Sequence, residues 1–250
     1  MTYDPPAHPT LARLARRIWT CRKCPRLAAY LDRARERWPD HVCRPVPGWG
    51  DPRARLVVVG LAPGLHGAGR TARMFTFDSS GAWLYGALHR YGWASRPVSC
   101  APGDGLRLRG VYITAAARCA PPGNRPLPAE LSACRPYLAE ELHFFRSARV
   151  ILALGRIAHE AVLRVAGLRP REAPFGHGAE HVLPDGRILL DSYHPSRQNT
   201  QTKLLTRALW HAIVRRARKL TDREELRPGP RPPARPGVGA REAWSRLPRD

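Results

Sequence analysis

The sequence is poor in acidic residues, in lysine and in long apolar runs. Its 250 residues include 20 Asp and Glu against 42 Lys and Arg, which gives a net charge of +22. That balance excludes an acidic-tail protein or a calcium buffer and favours a polyanionic partner such as nucleic acid. Lysine occurs only at Lys23, Lys203 and Lys219, so a coding bias toward arginine explains part of the excess equally well.

The chain also lacks the segments that direct a protein to a membrane or out of the cell. No apolar run approaches the roughly 20 residues that span a bilayer. Residues 1–10 lack the basic and then apolar pattern of a secretory signal. We therefore expect a cytoplasmic protein without a membrane partner.

Composition divides the chain into two parts. Hydrophobic residues make up 43% of the 250 residues, which is enough for one domain with a sizeable core. From residue 222 onward Pro, Gly and Arg dominate, and seven arginines face five acidic residues, so this part carries a net charge of only +2. We predict a folded domain over residues 1–221 and a disordered Pro/Arg-rich tail over 222–250.

The chain has six cysteines: Cys21, Cys24, Cys43, Cys100, Cys119 and Cys134. Without a signal sequence, metal or core roles come before disulfides. Cys21 and Cys24 form a C-x-x-C-P knuckle whose spacer lets both thiolates face one metal centre, although such a pair can also serve redox chemistry. Cys119 and Cys134 form a looser second pair, and four thiolates could hold zinc or a [4Fe–4S] cluster. The other two have no partner motif and are interpreted as structural.

Short apolar runs alternate with helical patterns along the chain. The runs at residues 55–60, 110–114, 148–154 and 187–191 are typical of buried parallel strands. Helices are expected over about 9–37, with the knuckle as an interruption, and over 80–91, 128–146, 155–166 and 201–220. This alternation predicts an α/β protein with a parallel sheet and helices on both faces.

Most of the unusual polar residues follow the predicted strands. In parallel sheets ligands bind outside the carboxyl ends of the strands. That edge is formed here by segments 60–81, 114–125, the turn at Gly155 and 192–201. We therefore expect the functional site at this edge.

The loop after the first strand supports two interpretations. Gly64-x4-Gly69-Arg70-Thr71 approaches a P-loop, with Arg where Lys belongs, but residues 74–77 make a poor helix start. A nucleotide hydrolase is therefore the weaker alternative. In a base pocket, by contrast, glycines allow close backbone approach, Phe75 supplies a stacking face and Asp78 a carboxylate.

A purely structural role for the same residues stays open. Phe75 and Phe77 would then be ordinary core residues, and Asp78 would cap the following helix.

The loop after the fourth strand carries His194 and Pro195 just beyond the strand end. Four residues that follow can hydrogen-bond phosphates: Ser196, Arg197, Asn199 and Thr200.

Three motifs in this order resemble the family 5, or type b, uracil-DNA glycosylases. They are residues 60–81, 113–125 and 194–202, and the four cysteines of the two pairs match as well. The related family 4 enzymes usually carry Glu where this chain has Leu61 and Asn where it has Ala115. Family 5 members frequently have Asn-Arg near residues 68–70 and Pro at Met74, so this chain departs slightly there.

The resemblance implies a three-layer α/β/α sandwich around a short, mostly parallel, four-stranded sheet. It implies a structural [4Fe–4S] cluster on Cys21, Cys24, Cys119 and Cys134. It also implies excision of uracil, and often of hypoxanthine and xanthine, from DNA. A monomer associated with the nucleoid is expected, and a non-catalytic iron–sulfur protein that binds damaged DNA is the alternative.

Residue roles follow from the same resemblance. Catalysis is assigned to His194, which donates a hydrogen bond to the leaving base, and to Asp78, which positions water or stabilises the sugar cation. The predicted base-binding residues are Ala62, Pro63, Gly64, Phe75 and Asn124. The predicted phosphate-binding residues are His66, Arg70, Ser196, Arg197, Asn199 and Thr200.

Overall fold

A computed structural model describes Pro6 and residues 8–222 of the chain. The last described helix ends at Asp222. Apart from that residue, the predicted tail lies outside the described residues, and the predicted domain division stays a prediction.

Six strands form one sheet within the described residues, not the four that the sequence predicts. They are β1 (Trp49–Gly50), β2 (Leu56–Gly60), β3 (Val111–Ala115), β4 (Val150–Leu154), β5 (Glu180–Val182) and β6 (Ile188–Ser192), in the order β1-β3-β2-β4-β6-β5. The four central strands are parallel and correspond to the four apolar runs. The two additional strands are short, lie at the edges and pair antiparallel.

Helices cover both faces of this sheet. They are α1 (Pro9–Trp19), α2 (Pro25–Arg37), α3 (Ala68–Thr71), α4 (Ser79–Arg90), α5 (Pro128–Phe144), α6 (Arg156–Val165), α7 (Arg197–Gln201) and α8 (Arg207–Asp222). The single helix expected over 201–220 is wrong, because a break separates α7 from α8. No helix in the part of the chain that the structure describes is both long and apolar enough to cross a membrane.

Two apolar layers explain why the central strands are continuous hydrophobic runs. On one face, Val58 and Leu190 pack with the α4 and α8 side chains, including Trp210. On the other face, Val57 packs with side chains of α5 and α6, such as Val162. Since successive strand residues point to opposite faces, a strand buried on both sides must be apolar throughout. The predicted three-layer sandwich is confirmed, with six strands instead of four.

Candidate active site

The loops after β2 and β3 lie side by side at the carboxyl edge of the sheet. The Ala116 and Ala117 amides donate hydrogen bonds to the Gly60 and Leu61 carbonyls, each over 2.9 Å. A Cβ atom built on Gly64 would meet no atom within 4 Å. The first loop is therefore held against the second, with open space beside Gly64.

Phe75 and His194 meet across this edge, although 119 positions of sequence separate them. Their ring centroids are 5.8 Å apart, and the ring planes differ by 26°. Gly60, at the end of β2, lies beneath Phe75, because a Cβ there would come within 2.9 Å of the Phe75 Cζ atom. The structure thus brings the predicted stacking residue and the predicted leaving-group residue together, and the place where these two rings face each other is called the crevice below.

The segment that carries Phe75 has an unusual backbone. Phe75 and Phe77 both adopt left-handed φ angles, 56° and 65°. Such angles are sterically costly for bulky residues and concentrate at functional sites. The surrounding structure must therefore hold this segment in place.

The buried guanidinium of Arg73 provides that hold. It donates to both Asp104 carboxylate oxygens, over 3.1 and 2.5 Å, and to the Ser99 hydroxyl over 2.7 Å. Burial opposes ionisation of Asp104, but the hydrogen bonds from Arg73 and from the Cys100 and Leu106 amides, with the charge of Arg73, together outweigh it and keep the pKa of that carboxyl below its ordinary value. This ion pair anchors the backbone just before Phe75.

Asp78 serves as a helix cap and also faces the crevice. Its Oδ1 accepts a hydrogen bond from the Gly81 amide over 2.6 Å at the start of α4. A Cβ built on Gly67 would lie 2.6 Å from its Oδ2, so that oxygen is turned toward the loop after β2. Burial raises the pKa of Asp78, while hydrogen bonds from the Gly81 and Ser80 amides oppose the shift. Asp78 can therefore cap α4 through Oδ1 and still have a functional role through Oδ2.

His194 has an environment that disfavours its charged form. Burial lowers its pKa to about 4. The Asn199 side-chain amide donates to the His194 carbonyl over 2.8 Å and holds the backbone of this loop. At neutral pH the ring is therefore an uncharged imidazole, which has one N–H to donate.

Three of the four predicted phosphate-binding residues in this loop also bond within it. Besides the Asn199 bond, the Ser196 hydroxyl accepts from the Asn199 amide over 3.3 Å. The Thr200 hydroxyl donates to the Ser196 carbonyl over 3.0 Å. Arg197 is exposed and, among the described residues, makes no side-chain hydrogen bond. The loop is thus braced internally, with one cation directed to solvent.

The remaining predicted phosphate-binding residues lie at the mouth of the crevice. The exposed His66 is within 3.0 Å of His41, from Nδ1 to Nε2, and His41 Nδ1 is within 2.7 Å of an Asp40 oxygen. Arg70 forms an ion pair with Asp40 over 2.8 Å. Its guanidinium also lies 4.6 Å from the centroid of the Phe77 ring. The loop after β2 therefore presents two groups, the His66 imidazole and the Arg70 guanidinium. Contacts with His41 and Asp40 support them.

Phe77 was missed by the sequence analysis as a site residue. Its interpretation as a core residue is wrong, because 56% of it is exposed. Phe75 is buried, as that interpretation expected. No periodic signal could have shown the difference, because residues i and i+2 of an extended segment face the same way, and Phe75 and Phe77 separate only through their left-handed φ angles.

Asn124 stands apart from these residues. It is exposed, has a left-handed φ of 56°, and follows a glycine in a single 3-10 turn (Pro122–Asn124). Within the described ranges, its side chain makes no hydrogen bond, so its predicted contact with a base stays a prediction.

The four predicted metal ligands line one cavity. Cys21 and Cys24 lie between α1 and α2, Cys119 follows β3, and Cys134 lies on α5. Burial, and then the neighbouring Cys134, raise the pKa of the Cys24 thiol to about 11; burial likewise raises the pKa values of Cys119 and Cys134. The contribution of Cys134 to the raised pKa of Cys24 reflects repulsion between two thiolates, so these thiols lie close to each other in the cavity.

The donor set bears on which group these residues could hold. Four cysteine thiols line one cavity. Thiolates bind tetrahedral zinc and iron–sulfur clusters alike, so the residues present fit the predicted [4Fe–4S] cluster and also fit zinc.

Arg118 joins this cavity to the sheet. Its buried side chain donates to Glu141 over 2.5 Å and to the Thr114 hydroxyl on β3. Arg118 lines the cavity, and its buried Nε atom has no hydrogen-bond partner among the described residues. An orphaned N–H beside four thiols fits an electron-rich group that would accept its hydrogen bond.

Comparison with known families identifies the fold and the crevice together. Residues 47–218, which include β1 to β6 and both catalytic candidates, match the family model of the uracil DNA glycosylase superfamily. The chain belongs to the uracil DNA glycosylase superfamily. Within it, a type-5 uracil-DNA glycosylase of Thermus thermophilus is 54% identical over 208 residues, which cover 81% of this chain and 94% of that protein.

Two further members of the superfamily show how specific this relationship is. A type-5 enzyme of Mycobacterium tuberculosis is 47% identical over 211 residues, covering 81% of this chain and 79% of that protein. A type-4 uracil-DNA glycosylase of Pyrobaculum aerophilum is 31% identical over 193 residues, covering 74% and 83%. The predicted resemblance to the type-5 group is confirmed.

Membership of the superfamily and the loop geometry overturn the P-loop alternative. A P-loop leads directly into a long helix whose N-terminus faces the phosphates. Here α3 has four residues and ends before the left-handed Ala72. The acidic residue near the end of β6, Asp191, is buried against His159.

Proposed function

We propose that this protein hydrolyses the N-glycosidic bond of deoxyuridine in DNA, releasing uracil and leaving an abasic site for base excision repair. Membership of the superfamily supports the reaction, and one observation supports its location. Phe75 and His194 face each other in the crevice at the carboxyl edge of the sheet, 5.8 Å apart, with the Asp78 carboxylate on the same loop as Phe75.

A target base must leave the helix before this chemistry can occur. Phe75 offers a flat face on which the base stacks. The Ala62 and Gly64 amides have no acceptor among the described residues, and space beside Gly64 is open. These amides bond the base edge, Pro63 keeps the loop between them rigid, and Asn124 contributes from the loop after β3.

Bond cleavage moves the glycosidic electron pair onto the base and leaves cationic character on the sugar. The neutral His194 ring donates its N–H to a carbonyl oxygen of the departing base, where negative charge collects. The Asp78 carboxylate stabilises the sugar cation or orients the water that adds to it. The water loses one proton, and the released base gains one from solvent.

The mouth of the crevice holds the DNA backbone. His66, Arg70 and Arg197 are placed to contact phosphates, and the braced loop of Ser196, Asn199 and Thr200 presents the last of them. The exposed Phe77 ring, backed by Arg70, offers a second face for an unpaired base beside the target. An aromatic face next to a cation is a common device for binding single-stranded nucleic acid.

The same pocket accommodates other deaminated bases. Uracil, hypoxanthine and xanthine share a carbonyl edge that the backbone amides can recognise. Stacking on Phe75 does not exclude the second ring of a purine. We therefore propose hypoxanthine and xanthine as further substrates.

The cysteine cavity holds a structural [4Fe–4S] cluster on Cys21, Cys24, Cys119 and Cys134. When bound, the cluster supplies a covalent tie between the knuckle and the segment from β3 to α5. The Arg118 Nε atom donates a hydrogen bond toward it. That tie would hold the loop that bears Asn124 in place, so the cluster would affect the reaction only by positioning this loop. A monomeric enzyme located with the nucleoid remains our expectation.

Two substitutions at Asp78 separate its capping role from its chemical role. Asn is a good helix cap without charge, whereas Ala removes both the cap and the charge. Both Asp78→Asn and Asp78→Ala are expected to slow single-turnover excision of uracil by at least about 100-fold. Only Asp78→Ala should also lose about 1 kcal/mol of unfolding free energy. Normal excision by Asp78→Asn would remove the carboxylate from the mechanism.

A panel of oligonucleotides, each with one uracil, hypoxanthine or xanthine, tests the function as a whole. Formation of abasic sites with uracil is the expected result. Tight binding to all damaged strands without any abasic product would favour the non-catalytic damage-binding alternative.

A further inference from the structure

Three potential metal ligands meet on the face of the sheet opposite α4 and α8. His159 lies on α6, His181 on β5 and Asp191 on β6. Their ligand atoms all lie within 4.8 Å of one another. This group shares no residue with the crevice or with the cysteine cavity.

Strand alternation brings the group together. His181 pairs directly with Leu189, and Leu189 packs against α6. Asp191 lies two residues further along β6, so its side chain points to the same face. His159 approaches that face from α6 and is buried, as is Asp191.

The hydrogen bonds of His159 fix which of its nitrogens faces the group. Nε2 lies 2.8 Å from the Ala173 carbonyl, which only accepts, so Nε2 carries a proton. Nδ1 lies 2.8 Å from Asp191 Oδ1. Metal-bound histidines usually donate their other N–H to a carbonyl or carboxylate in this way, which orients the ligating nitrogen.

His181 supplies the second, independent observation. Its Nε2 atom is buried and makes no hydrogen bond in the described part of the chain. It lies 3.6 Å from Asp191 Oδ2. A buried polar nitrogen without a partner is costly, and here it is directed at a carboxylate that already bonds another imidazole.

These separations match those around a zinc ion. Zinc bonds to nitrogen and oxygen of about 2.0–2.1 Å place tetrahedral ligands about 3.3–3.4 Å apart. The two measured separations, 2.8 and 3.6 Å, lie on either side of that value. A shift of about half an ångström would bring both of these separations to that value, and the two histidine nitrogens lie within 4.8 Å of each other.

We infer that His159 Nδ1, His181 Nε2 and the Asp191 carboxylate bind one structural zinc ion, with water in the fourth position. Binding replaces the proton on His159 Nδ1 and releases it to solvent. The ion would tie α6, β5 and β6 together directly below the loop that carries His194. Two imidazoles and a carboxylate suit zinc among the divalent metals.

Cobalt(II) distinguishes this site from the cysteine cavity. Titrated into the full-length protein with its cluster in place, one equivalent should give visible ligand-field bands of tetrahedral nitrogen and oxygen coordination. It should give no near-ultraviolet thiolate charge-transfer band. Zinc should displace the cobalt and raise the melting temperature.

His181→Gln is the test variant, because the His181 side chain makes no hydrogen bond among the described residues whose loss would unfold the protein. His211→Gln is the matched control: His211 also has a buried nitrogen without a partner, but no metal-binding group surrounds it among the described residues. The control should bind cobalt like the wild type, and His181→Gln should bind at least about tenfold more weakly. Absence of the nitrogen and oxygen spectrum in the wild type, or equal binding by His181→Gln, would overturn the inference. Uracil excision is recorded in parallel and does not enter either outcome.

Discussion

At the scale of single residues, the protonation of His194 follows from its position. Transfer of an imidazole from water to a buried crevice penalises the charged form. A neutral donor suits a reaction that builds negative charge on the leaving base, because no proton has to be removed before the next turnover.

The titration of this ring can be observed directly. By NMR, we expect the His194 ring protons to shift with a midpoint near pH 4, as the lowered pKa requires. Because the folded pKa is below the unfolded value of 6.5, acidification between these values should also reduce the stability of the fold. The spectrum of His194→Gln assigns the signal. A midpoint near 6.5 would contradict a buried, neutral ring.

Phe77 gives a second prediction at this scale. Glycine adopts the left-handed angle of 65° without strain, so Phe77→Gly should fold at least as stably as the wild type. Loss of the ring should weaken binding of a uracil-containing strand by about 1–3 kcal/mol, as for other base-stacking aromatics. Fluorescence anisotropy measures this change. As a control, Val182→Gly removes another exposed apolar side chain, on the β5 edge, and should leave affinity unchanged. Equal affinities for the two variants would count against a stacking role.

At the scale of elements, the strained segment of residues 74–78 depends on a neighbouring loop. Arg73 reaches across to Asp104, and both are largely buried. A buried guanidinium without its carboxylate would be a strongly unfavourable group. The ion pair between Arg73 and Asp104 lies outside the crevice and positions Phe75 opposite His194.

Asp104→Ala should cost about 3 kcal/mol in urea unfolding at pH 7. The pKa of Asp104 is lowered from 3.8 in the folded state. Its contribution is therefore fully present above 3.8 and is lost as the pH falls below 3.8 and through the lower pKa of the folded state. The difference between variant and wild type should shrink in acid. Asp222→Ala, which breaks an exposed ion pair with Arg218, should cost less than about 1 kcal/mol. An equal cost for the two variants would contradict the anchoring role.

The sequence predicted the central strands well and the edges poorly, for a physical reason. Strands β2, β3 and β4 are buried on both faces and must be apolar throughout. Strand β1 has two residues, and β5 exposes Glu180 and Val182, so neither leaves a periodic signal. The break between α7 and α8 contains Lys203, whose φ of 58° no apolar pattern announces.

At the scale of the whole molecule, the cavity of the four cysteines connects parts of the chain that are distant in sequence. Cys24 and Cys134 are 110 positions apart in the sequence. Three of these thiols share elevated pKa values through burial and mutual repulsion. Burial and repulsion disfavour the thiolates, so these thiols keep their protons until a metal group binds and displaces them.

The double variant Cys21→Ala/Cys24→Ala should therefore lose its iron and its visible absorbance and unfold more readily. Cys43→Ala is the stringent control, because Cys43 lines the same cavity but is not a predicted ligand; it should retain the iron. Metal analysis after anaerobic purification measures both. A protein that contains zinc and no iron would defeat the cluster assignment.

The site was predictable where residues adjoin strand ends. His194, Phe75 and Asp78 follow apolar strands, and topology alone places such residues at one edge. Side-chain partners were not predictable. Nothing in the sequence shows that Asn199 bonds to the His194 backbone, that Arg73 reaches Asp104, or that Phe77 faces solvent. Those contacts depend on loop conformations that local sequence does not determine.

The spacing of the aromatic pair sets a condition on how a damaged nucleotide enters. An intercalated base is about 3.4 Å thick, and two such layers exceed the 5.8 Å between the Phe75 and His194 rings. A flat base therefore does not fit between the two rings at this separation. A base stacked on Phe75 must meet His194 with its edge, which is the orientation that donation of the His194 N–H to a base carbonyl oxygen requires.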